Sequence, residues 1–130
     1  MIIGIGTDIL EIKRIGKILN KHDKKFIKRI YGSNEISVIE NKKNNLDHYL
    51  SKRFAAKEAT WKAFNPKRGK GLIFKEIETL NDKNGKPFFS KSRKIDSIIN
   101  KKFNVKKYDL FLSISDEKDY SIAFTTLQTK

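Results

Sequence analysis

Two carboxylates and one lysine have residue types and spacing that could support chemistry on a phosphate. Asp8 follows the apolar run MIIGIG, and Glu58 and Lys62 lie four residues apart within RFAAKEATWKAF, residues 53–64. Residues four apart share one face of a helix, so Glu58 and Lys62 would project together. If Asp8 and Glu58 meet in space, the pair suits Mg²⁺, which takes its other ligands from water and phosphate. Lys62 would then place a cation beside a phosphate oxygen or a leaving group.

The same three residues also have structural explanations, which their spacing leaves open. Asp8 could cap a helix that begins near Ile9, because Asp is a preferred residue at the N-cap position. Glu58 and Lys62 could form an ordinary surface ion pair, which stabilises a helix by only about 0.2–0.5 kcal/mol. Local spacing alone favours these structural readings over the functional one.

The helix that carries Glu58 and Lys62 is predicted to be long and closely packed. It extends from about residue 46 to residue 64, and Asn65-Pro66 ends it because a residue before proline disfavours the helical conformation. Small side chains recur at every fourth position on one face of this helix: Ala55, Ala59 and Ala63. This stripe predicts that the helix approaches another backbone closely.

One strand and three helices are predicted before this long helix. The apolar, β-branched start predicts a strand over residues 2–8, and isoleucines at helical spacing predict a helix over 9–20. Shorter helices are expected near 23–31 and 34–42, and the polar segment KKNN, 42–45, is expected to be a loop.

The second half of the chain is predicted to consist mainly of strands. Asn84-Gly85 favours the positive φ angles of a hairpin turn. The predicted elements are a basic glycine loop KRGKG at 67–71, a strand at 72–80, a turn at 81–87, a helix at 91–103, and strands at 109–115 and 120–127. One strand, several helices and then strands with one inserted helix predict an α+β fold rather than a doubly wound sheet.

Composition indicates one globular domain, residues 1–130, with a strongly positive net charge. The chain is 38% hydrophobic and contains no cysteine, which suits a reducing cytoplasm. It shows no signal peptide and no apolar run near the roughly 20 residues that cross a bilayer, so we expect a soluble protein with no membrane association. The net charge of +14 predicts attraction to an anion, although a lysine- and asparagine-rich composition would also produce it.

Four segments carry more information together than each does alone. They are GIGTDILEIKRI at 4–15, RFAAKEATWKAF at 53–64, NDKNGKP at 81–87 and LFLSISDEKDYSIA at 110–123. In this order the chain closely resembles the holo-[acyl-carrier-protein] synthases, the short bacterial 4′-phosphopantetheinyl transferases. The resemblance implies an antiparallel sheet packed on a long central helix, a homotrimer, and a role in fatty acid biosynthesis. It also implies Mg²⁺-dependent transfer of 4′-phosphopantetheine from coenzyme A to a serine of apo-acyl carrier protein, which releases adenosine 3′,5′-bisphosphate.

The resemblance also implies roles for individual residues. Asp8 and Glu58 match the family's Mg²⁺ ligands, and Lys62 matches the lysine that contacts the pyrophosphate and assists the leaving phosphate. Arg14 matches the basic residue that meets the carrier protein. The positions that match the lining of the coenzyme A site are Arg53, Asn84, Gly85, Pro87 and Ser113. This sequence departs from the family's usual residues at Phe111, commonly a histidine, and at Asn65, usually a glycine.

A small RNA- or DNA-binding module is the alternative from another functional class. It would explain the charge of +14, and the aromatic residues Phe88, Phe89, Tyr108 and Phe111 could stack on bases. That alternative gives Asp8 and Glu58 no role, since carboxylates repel a phosphate backbone unless a metal bridges them. A transferase explains the carboxylates, the lysine and the basic helix together, so we expect no nucleic-acid partner.

Overall fold

The computed structural model describes residues 1–65, 74–90 and 92–130. The predicted loop KRGKG, the first two residues of the predicted strand over 72–80, and the first residue of the predicted helix over 91–103 lie outside these ranges. The elements are β1 (Ile2–Glu11), α1 (Ile12–Ile30), α2 (Ser33–Glu40), α3 (Leu46–Phe64), a 3₁₀ turn (Phe74–Glu76), β2 (Thr79–Asn81), β3 (Pro87–Phe89), α4 (Arg93–Phe103), β4 (Tyr108–Asp116) and β5 (Tyr120–Thr129).

The fold is α+β, as predicted, with an antiparallel sheet packed on the long helix α3. The main sheet has the strand order β1-β5-β4, and α3 packs against β1, β5 and β4. Alternate residues of β5 are buried on the α3 side of the sheet, among them Ala123, Thr125 and Leu127. Because the side chains of a strand alternate between faces, the residues between them point away from α3. A second, two-stranded antiparallel sheet joins β2 to β3.

Two glycines of β1 allow α3 to lie directly against the sheet. A Cβ built on Gly4 would lie 2.4 Å from the carbonyl oxygen of Ala63, and one on Gly6 would lie 1.7 Å from that of Ala59. Neither distance is sterically possible, so a side chain at either position would push the helix off the strand. The predicted close approach of the alanine face of α3 to another backbone is therefore confirmed.

The predicted boundary between the first strand and the first helix is wrong. The strand continues to Glu11, because Ile9 and Leu10 pair with Ile122 and Ser121 of β5. Helix α1 begins only at Ile12, whose backbone N–H donates to the carbonyl of Asp119 at 2.9 Å. The length of β5 decides the end of β1 and overrides the helical spacing of the isoleucines.

Helix α1 also merges the two helices predicted over 9–20 and 23–31. The polar residues between them include neither glycine nor proline, so nothing interrupts the backbone hydrogen bonds. Leu19, Phe26 and Ile27 continue one apolar stripe along the merged helix and pack against the core.

The predicted strand over 72–80 is largely wrong, whereas the turn that follows it is confirmed. Residues Phe74–Glu76 form a 3₁₀ turn, and β2 comprises only Thr79–Asn81. The turn that joins β2 to β3 has Gly85 at φ +82°, the conformation that glycine tolerates best. Asp82 fixes this turn, since its Oδ1 accepts from the backbone N–H groups of Asn84 and Lys86 at 2.8 and 2.9 Å.

The remaining predicted elements lie close to their predicted positions. Helix α2 ends two residues earlier than expected, α4 starts after the capping residue Ser92, and α3 extends over Leu46–Phe64. Asn65 ends α3 with φ +44°, the left-handed conformation that a glycine commonly adopts at a helix end. No helix in the described residues is long and apolar enough to span a membrane.

Candidate active site

The close packing of α3 on β1 brings Asp8, Glu58 and Lys62 together. Asp8 lies on β1 between the buried residues Gly6 and Leu10, so its side chain projects to the α3 side of the sheet. The Lys62 Nζ donates to Asp8 Oδ1 at 3.2 Å and to the carbonyl oxygen of Thr7 at 2.9 Å. The Asp8 side chain is 16% exposed and that of Lys62 is 50% exposed. The three groups therefore line a solvent-accessible site rather than the core.

The electrostatic environment of Glu58 differs from that of an ordinary surface glutamate. Partial burial and, second, the negative charge of Asp8 raise the pKa of the Glu58 carboxyl, and the Lys62 ammonium opposes this rise. Two carboxylates that repel each other gain free energy when a cation lies between them. The site therefore has the electrostatic character of a cation-binding site.

The geometry does not agree with the two structural explanations of these residues. The N-cap of α1 is Glu11 and no side chain among the described residues caps that helix, so Asp8 does not serve as the predicted cap. Lys62 forms its ion pair with Asp8 on another element rather than with Glu58 on its own helix. The ion pair of Lys62 therefore connects α3 to β1 and is not a surface pair within α3.

The donor set at this site suits Mg²⁺ rather than a metal that prefers several protein ligands. Within the described residues no group of three or more His, Cys, Asp or Glu side chains could hold a metal ion. Two carboxylates leave most of a six-ligand shell to water and substrate oxygens, which is the usual arrangement for Mg²⁺ at phosphate sites. The residues present therefore fit the predicted ion.

Arg53 lies on another face of α3, against the β2–β3 hairpin. Its side chain is 4% exposed, its guanidinium stacks on the ring of Tyr49 at 4.0 Å, and it donates to the side-chain oxygen of Asn81. Its Nε has no hydrogen-bond partner among the described residues. Arg53 also lines an open cleft of about 600 Å³ that includes Lys42 and Phe88.

The three predicted hairpin residues of the coenzyme A site lie at the β2–β3 turn, beyond the Arg53 contact. Asn84 and Gly85 are exposed, and Pro87 begins β3. Asn81 ties the turn to Arg53, because its Nδ2 donates to the carbonyl oxygen of Gly85 at 2.7 Å. Helix α3 therefore carries both the carboxylate site and the attachment of the hairpin.

Ser113 and Arg14 are not part of either group within one chain. Ser113 is exposed on β4 and pairs with Phe124 of β5, on the face that points away from α3. Arg14 is exposed near the start of α1. The structure thus brings Asp8, Glu58 and Lys62 together and leaves Ser113 on the opposite face of the sheet.

The sequence interpretation missed a buried ion pair between Glu35 of α2 and Lys57 of α3. Both side chains are 0% exposed, and the Lys57 Nζ lies 2.5 Å from Glu35 Oε1. Burial lowers the pKa of the Lys57 ammonium and raises that of the Glu35 carboxyl, and each partner opposes the other's shift. The one available signal was a lysine among alanines on a helix predicted to be closely packed.

Comparison with known proteins gives consistent matches over the whole chain. The profile of the 4′-phosphopantetheinyl transferase superfamily matches residues 4–125. The holo-[acyl-carrier-protein] synthase of Pelagibacter ubique is 47% identical over 129 residues, which are 99% of this chain and 98% of that protein.

Two solved structures share the fold along their full length. The holo-(acyl-carrier-protein) synthase of Bacillus anthracis, crystallised in complex with CoA (3′,5′-ADP), is 37% identical with a TM-score of 0.81, covering 100% of this chain and 99% of that one. The holo-[acyl-carrier-protein] synthase of Neisseria meningitidis is 33% identical with a TM-score of 0.87, covering 99% and 100%.

The fold and these matches identify the class of protein to which the chain belongs. The chain belongs to the 4′-phosphopantetheinyl transferase superfamily. Within it, the chain is a member of the holo-[acyl-carrier-protein] synthase family, which confirms the family and the enzyme class predicted from the four sequence segments.

Proposed function

We propose that this protein transfers the 4′-phosphopantetheine arm of coenzyme A to a serine of apo-acyl carrier protein and releases adenosine 3′,5′-bisphosphate. The convergence of Asp8, Glu58 and Lys62 on a partly exposed site carries this proposal. Two further observations support the proposal: the chain belongs to the transferase superfamily, and the similar Bacillus anthracis synthase was crystallised in complex with CoA (3′,5′-ADP). We expect the reaction to serve fatty acid biosynthesis in the cytoplasm.

The reaction breaks a P–O bond of the coenzyme A pyrophosphate and forms a new P–O bond to the serine oxygen. Negative charge develops on the departing phosphate, and catalysis of phosphoryl transfer consists mainly of positioning and neutralising such charge. Lys62 supplies a fixed cation, because its ammonium is already held by Asp8 and the Thr7 carbonyl. Its half-exposed position leaves the ammonium accessible to a phosphate oxygen.

Asp8 and Glu58 are the residues that would hold Mg²⁺. When bound, Mg²⁺ neutralises phosphate charge and orients the pyrophosphate. The serine must also lose its proton, and a carboxylate within the site can accept it. Glu58 is therefore our candidate for the group that receives this proton.

Arg53 and the hairpin residues Asn84, Gly85 and Pro87 are proposed to bind the nucleotide part of coenzyme A. Arg53 lines an open cleft, and a guanidinium is well suited to bind phosphate oxygens. Gly85 has no side chain and a Cβ built there would have no atom within 4 Å, so the turn leaves open space for a ligand at this position. These observations support the proposed role.

Arg14 is proposed to bind the carrier protein as part of a basic face of α1. Exposed cations follow one another along this helix: Lys13, Arg14, Lys17, Lys21, Lys24, Lys25, Lys28 and Arg29. Such a surface attracts an acidic partner and accelerates its association at low salt. The net charge of +14 is thereby concentrated where an acidic carrier protein would approach.

We also propose a homotrimer in which the outer face of the main sheet is covered by another copy of the chain. Large apolar side chains on this face are exposed by between 42% and 61%: Ile5, Ile9, Phe111, Ile122 and Phe124. A contiguous apolar patch of this kind is typical of an interaction surface. Ser113 lies on the same face, so a neighbouring subunit could bring it to a coenzyme A site. Sedimentation equilibrium of the full chain should give the mass of three chains.

Intact mass measurement of the carrier protein tests the transferase proposal. The protein is incubated with coenzyme A, Mg²⁺ and an apo-acyl carrier protein, and the carrier should gain the mass of one phosphopantetheine. A parallel reaction with an established transferase shows that the carrier is competent. Absence of any gain beside an active control would contradict the proposal, and tight, salt-sensitive RNA binding without transfer would favour a nucleic-acid module instead.

A further inference from the structure

The buried pair of Glu35 and Lys57 has more hydrogen bonds than an ion pair alone requires. The Lys57 Nζ donates to Glu35 Oε1 at 2.5 Å and to the backbone carbonyls of Phe74 and Ile77 at 2.9 and 2.7 Å. Glu35 also accepts from the backbone N–H groups of Gly32 at 3.0 Å and Thr79 at 3.2 Å. All three ammonium protons and both carboxylate oxygens therefore have partners.

A buried ion pair of this kind is not explained by stability alone. The desolvation of two charges offsets much of their attraction, and apolar replacements of buried pairs are often neutral or stabilising. The pair is separate from the carboxylate site, and its contacts are mainly to backbone atoms. These contacts fix the path of the chain rather than the packing of side chains.

The contacted backbone is the segment that leads into the β2–β3 hairpin. Phe74, Ile77 and Thr79 all belong to it, and α2 holds the same segment through Glu78, whose Oε2 accepts from the backbone N–H groups of Asn34 and Glu35 at 2.9 and 3.1 Å. The carbonyls of Phe74 and Ile77 turn towards Lys57 instead of forming a strand ladder. This explains why the predicted strand over 72–80 is a turn.

One helix face therefore holds the hairpin at two successive turns. Lys57 donates to the carbonyl of Ile77, just before the hairpin, and Arg53, four residues earlier on α3, donates to the side chain of Asn81. Glu58 directly follows Lys57 in the same helix, and a helix rises only about 1.5 Å per residue. The position of the hairpin is thus coupled through α3 to the position of the Asp8–Glu58 carboxylates.

We propose that Glu35 and Lys57 are positioning residues that fix the β2–β3 hairpin against α3 and thereby set the spacing between the nucleotide-binding residues and the carboxylate site. The proposal rests on the proposed function for its assignment of the hairpin to coenzyme A. Without the pair, the segment 74–79 separates from α3 and the hairpin loses its fixed position. Coenzyme A binding then weakens, whereas the carrier-protein surface on α1 is unaffected.

Lys57→Met in the full-length protein tests this proposal through the two Michaelis constants. We expect the KM for coenzyme A to rise about ten-fold, since small misplacements of binding groups have effects of this size or larger. The KM for the carrier protein should change less than about two-fold. Among the described residues, neither Glu35 nor Lys57 forms a hydrogen bond to α1, which carries the proposed carrier-protein surface. Calorimetric titration with adenosine 3′,5′-bisphosphate should show the same loss of affinity.

Hydrogen exchange tests the hairpin directly and does not depend on transfer activity. The amide of Thr79, which donates to Glu35, and that of Ser90, which donates to the Glu78 carbonyl, should exchange faster in Lys57→Met. Amides of β5 should keep their protection. If the wild-type protein shows no transfer, the proposed function fails, yet these exchange rates still decide whether the pair positions the hairpin.

Ile15→Ala is the matched control, because Ile15 is buried in the core and lies on α1, away from the hairpin. It should lower the melting temperature without raising the KM for coenzyme A or the exchange of Thr79. Glu35→Gln keeps the size of the side chain and one acceptor oxygen but removes the negative charge. The same measurements are made on this variant if Lys57→Met fails to fold. An unchanged KM for coenzyme A, together with hairpin exchange equal to that of Ile15→Ala, would overturn the proposal.

Discussion

Helix α3 contributes residues to two polar groups, of which one is buried and the other is partly exposed. Lys57 is fully buried, and its ammonium bonds to Glu35 and to two backbone carbonyls. Glu58, the next residue, is partly exposed, and its nearest charged neighbours are Asp8 and Lys62. The first group has its hydrogen bonds satisfied by the protein. The second contains two repelling carboxylates that one lysine does not neutralise.

This difference separates a positioning role from a chemical one. A charged group whose hydrogen bonds are all satisfied internally has no capacity left for a substrate. A partly exposed pair of carboxylates, in which the charge of Asp8 helps to raise the pKa of Glu58, retains unused acceptor capacity and gains free energy when it binds a cation. Burial and satisfaction of hydrogen bonds, rather than residue type, distinguish Glu58 from Glu35. The predictions that follow test this contrast one residue at a time.

Glu58→Gln should have the largest effect, and it should fall on activity. The amide keeps the size of the side chain but removes the charge that would hold Mg²⁺ and accept the serine proton. We expect the transfer rate to fall by a factor on the order of 10³, as combined losses of metal binding and general base catalysis predict. The melting temperature should not fall, since the carboxyl is destabilised in the folded protein. A rate within ten-fold of wild type would contradict the assignment.

Lys57→Met should have the largest effect on stability. Removing one partner leaves the Glu35 charge buried without its ammonium, which costs about 3–5 kcal/mol in comparable sites. Urea denaturation followed by circular dichroism measures this loss. Lys52→Met is the control on the same helix, because Lys52 forms a partly exposed pair with Asp116 at 3.6 Å. A loss no larger than that of the control would show that the buried pair is not strongly coupled to the fold.

Lys62→Met should reverse the pattern found for Lys57→Met. The Lys62 side chain is half exposed, so its loss should change the free energy of unfolding by less than about 1 kcal/mol. The transfer rate should fall about 100-fold, because one preorganised charge at a reacting phosphate typically contributes that much. Steady-state kinetics with Lys101→Met, a change of an exposed lysine on α4, as the control measures the effect. Equal rates for the two variants would remove Lys62 from the mechanism.

Arg14→Ala should have the smallest effect and should be specific to the carrier protein. One exposed charge in a basic surface contributes about 0.2–1 kcal/mol, so the KM for the carrier should rise about two- to five-fold. The KM for coenzyme A should not change. A larger effect on coenzyme A than on the carrier would refute the assigned role of Arg14, and Lys101→Ala provides the comparison for a loss of charge elsewhere.

The grouping of Asp8, Glu58 and Lys62 could be predicted because these residues match the motifs of the family, although their local spacing alone favoured structural roles. The spacing of Glu58 and Lys62, the alanine face of α3 and the Asn84-Gly85 turn each follow from short-range rules. The extension of β1 through Ile9 could not be predicted, because it depends on pairing with a strand at the other end of the chain.

The buried pair was missed for a similar reason. Glu35 and Lys57 are 22 residues apart and look like surface residues in the sequence. Their partners are backbone groups of a third segment, whose path is known only once the fold has formed. Patterns of side chains carry no direct information about such backbone contacts, which is why the strand over 72–80 was also predicted wrongly.

Stabilisation by Mg²⁺ at different pH values tests most directly whether Asp8 and Glu58 form a cation site. A carboxyl whose pKa is raised by folding stabilises the protein below its unfolded pKa, and this contribution is lost as the pH rises through the folded pKa. Mg²⁺ binds the ionised form and offsets the repulsion from Asp8. We therefore predict that MgCl₂ raises the melting temperature of the wild-type protein more at pH 7.5 than at pH 5, and leaves that of Glu58→Gln unchanged. An equal rise in both proteins, or a rise independent of pH, would contradict the account.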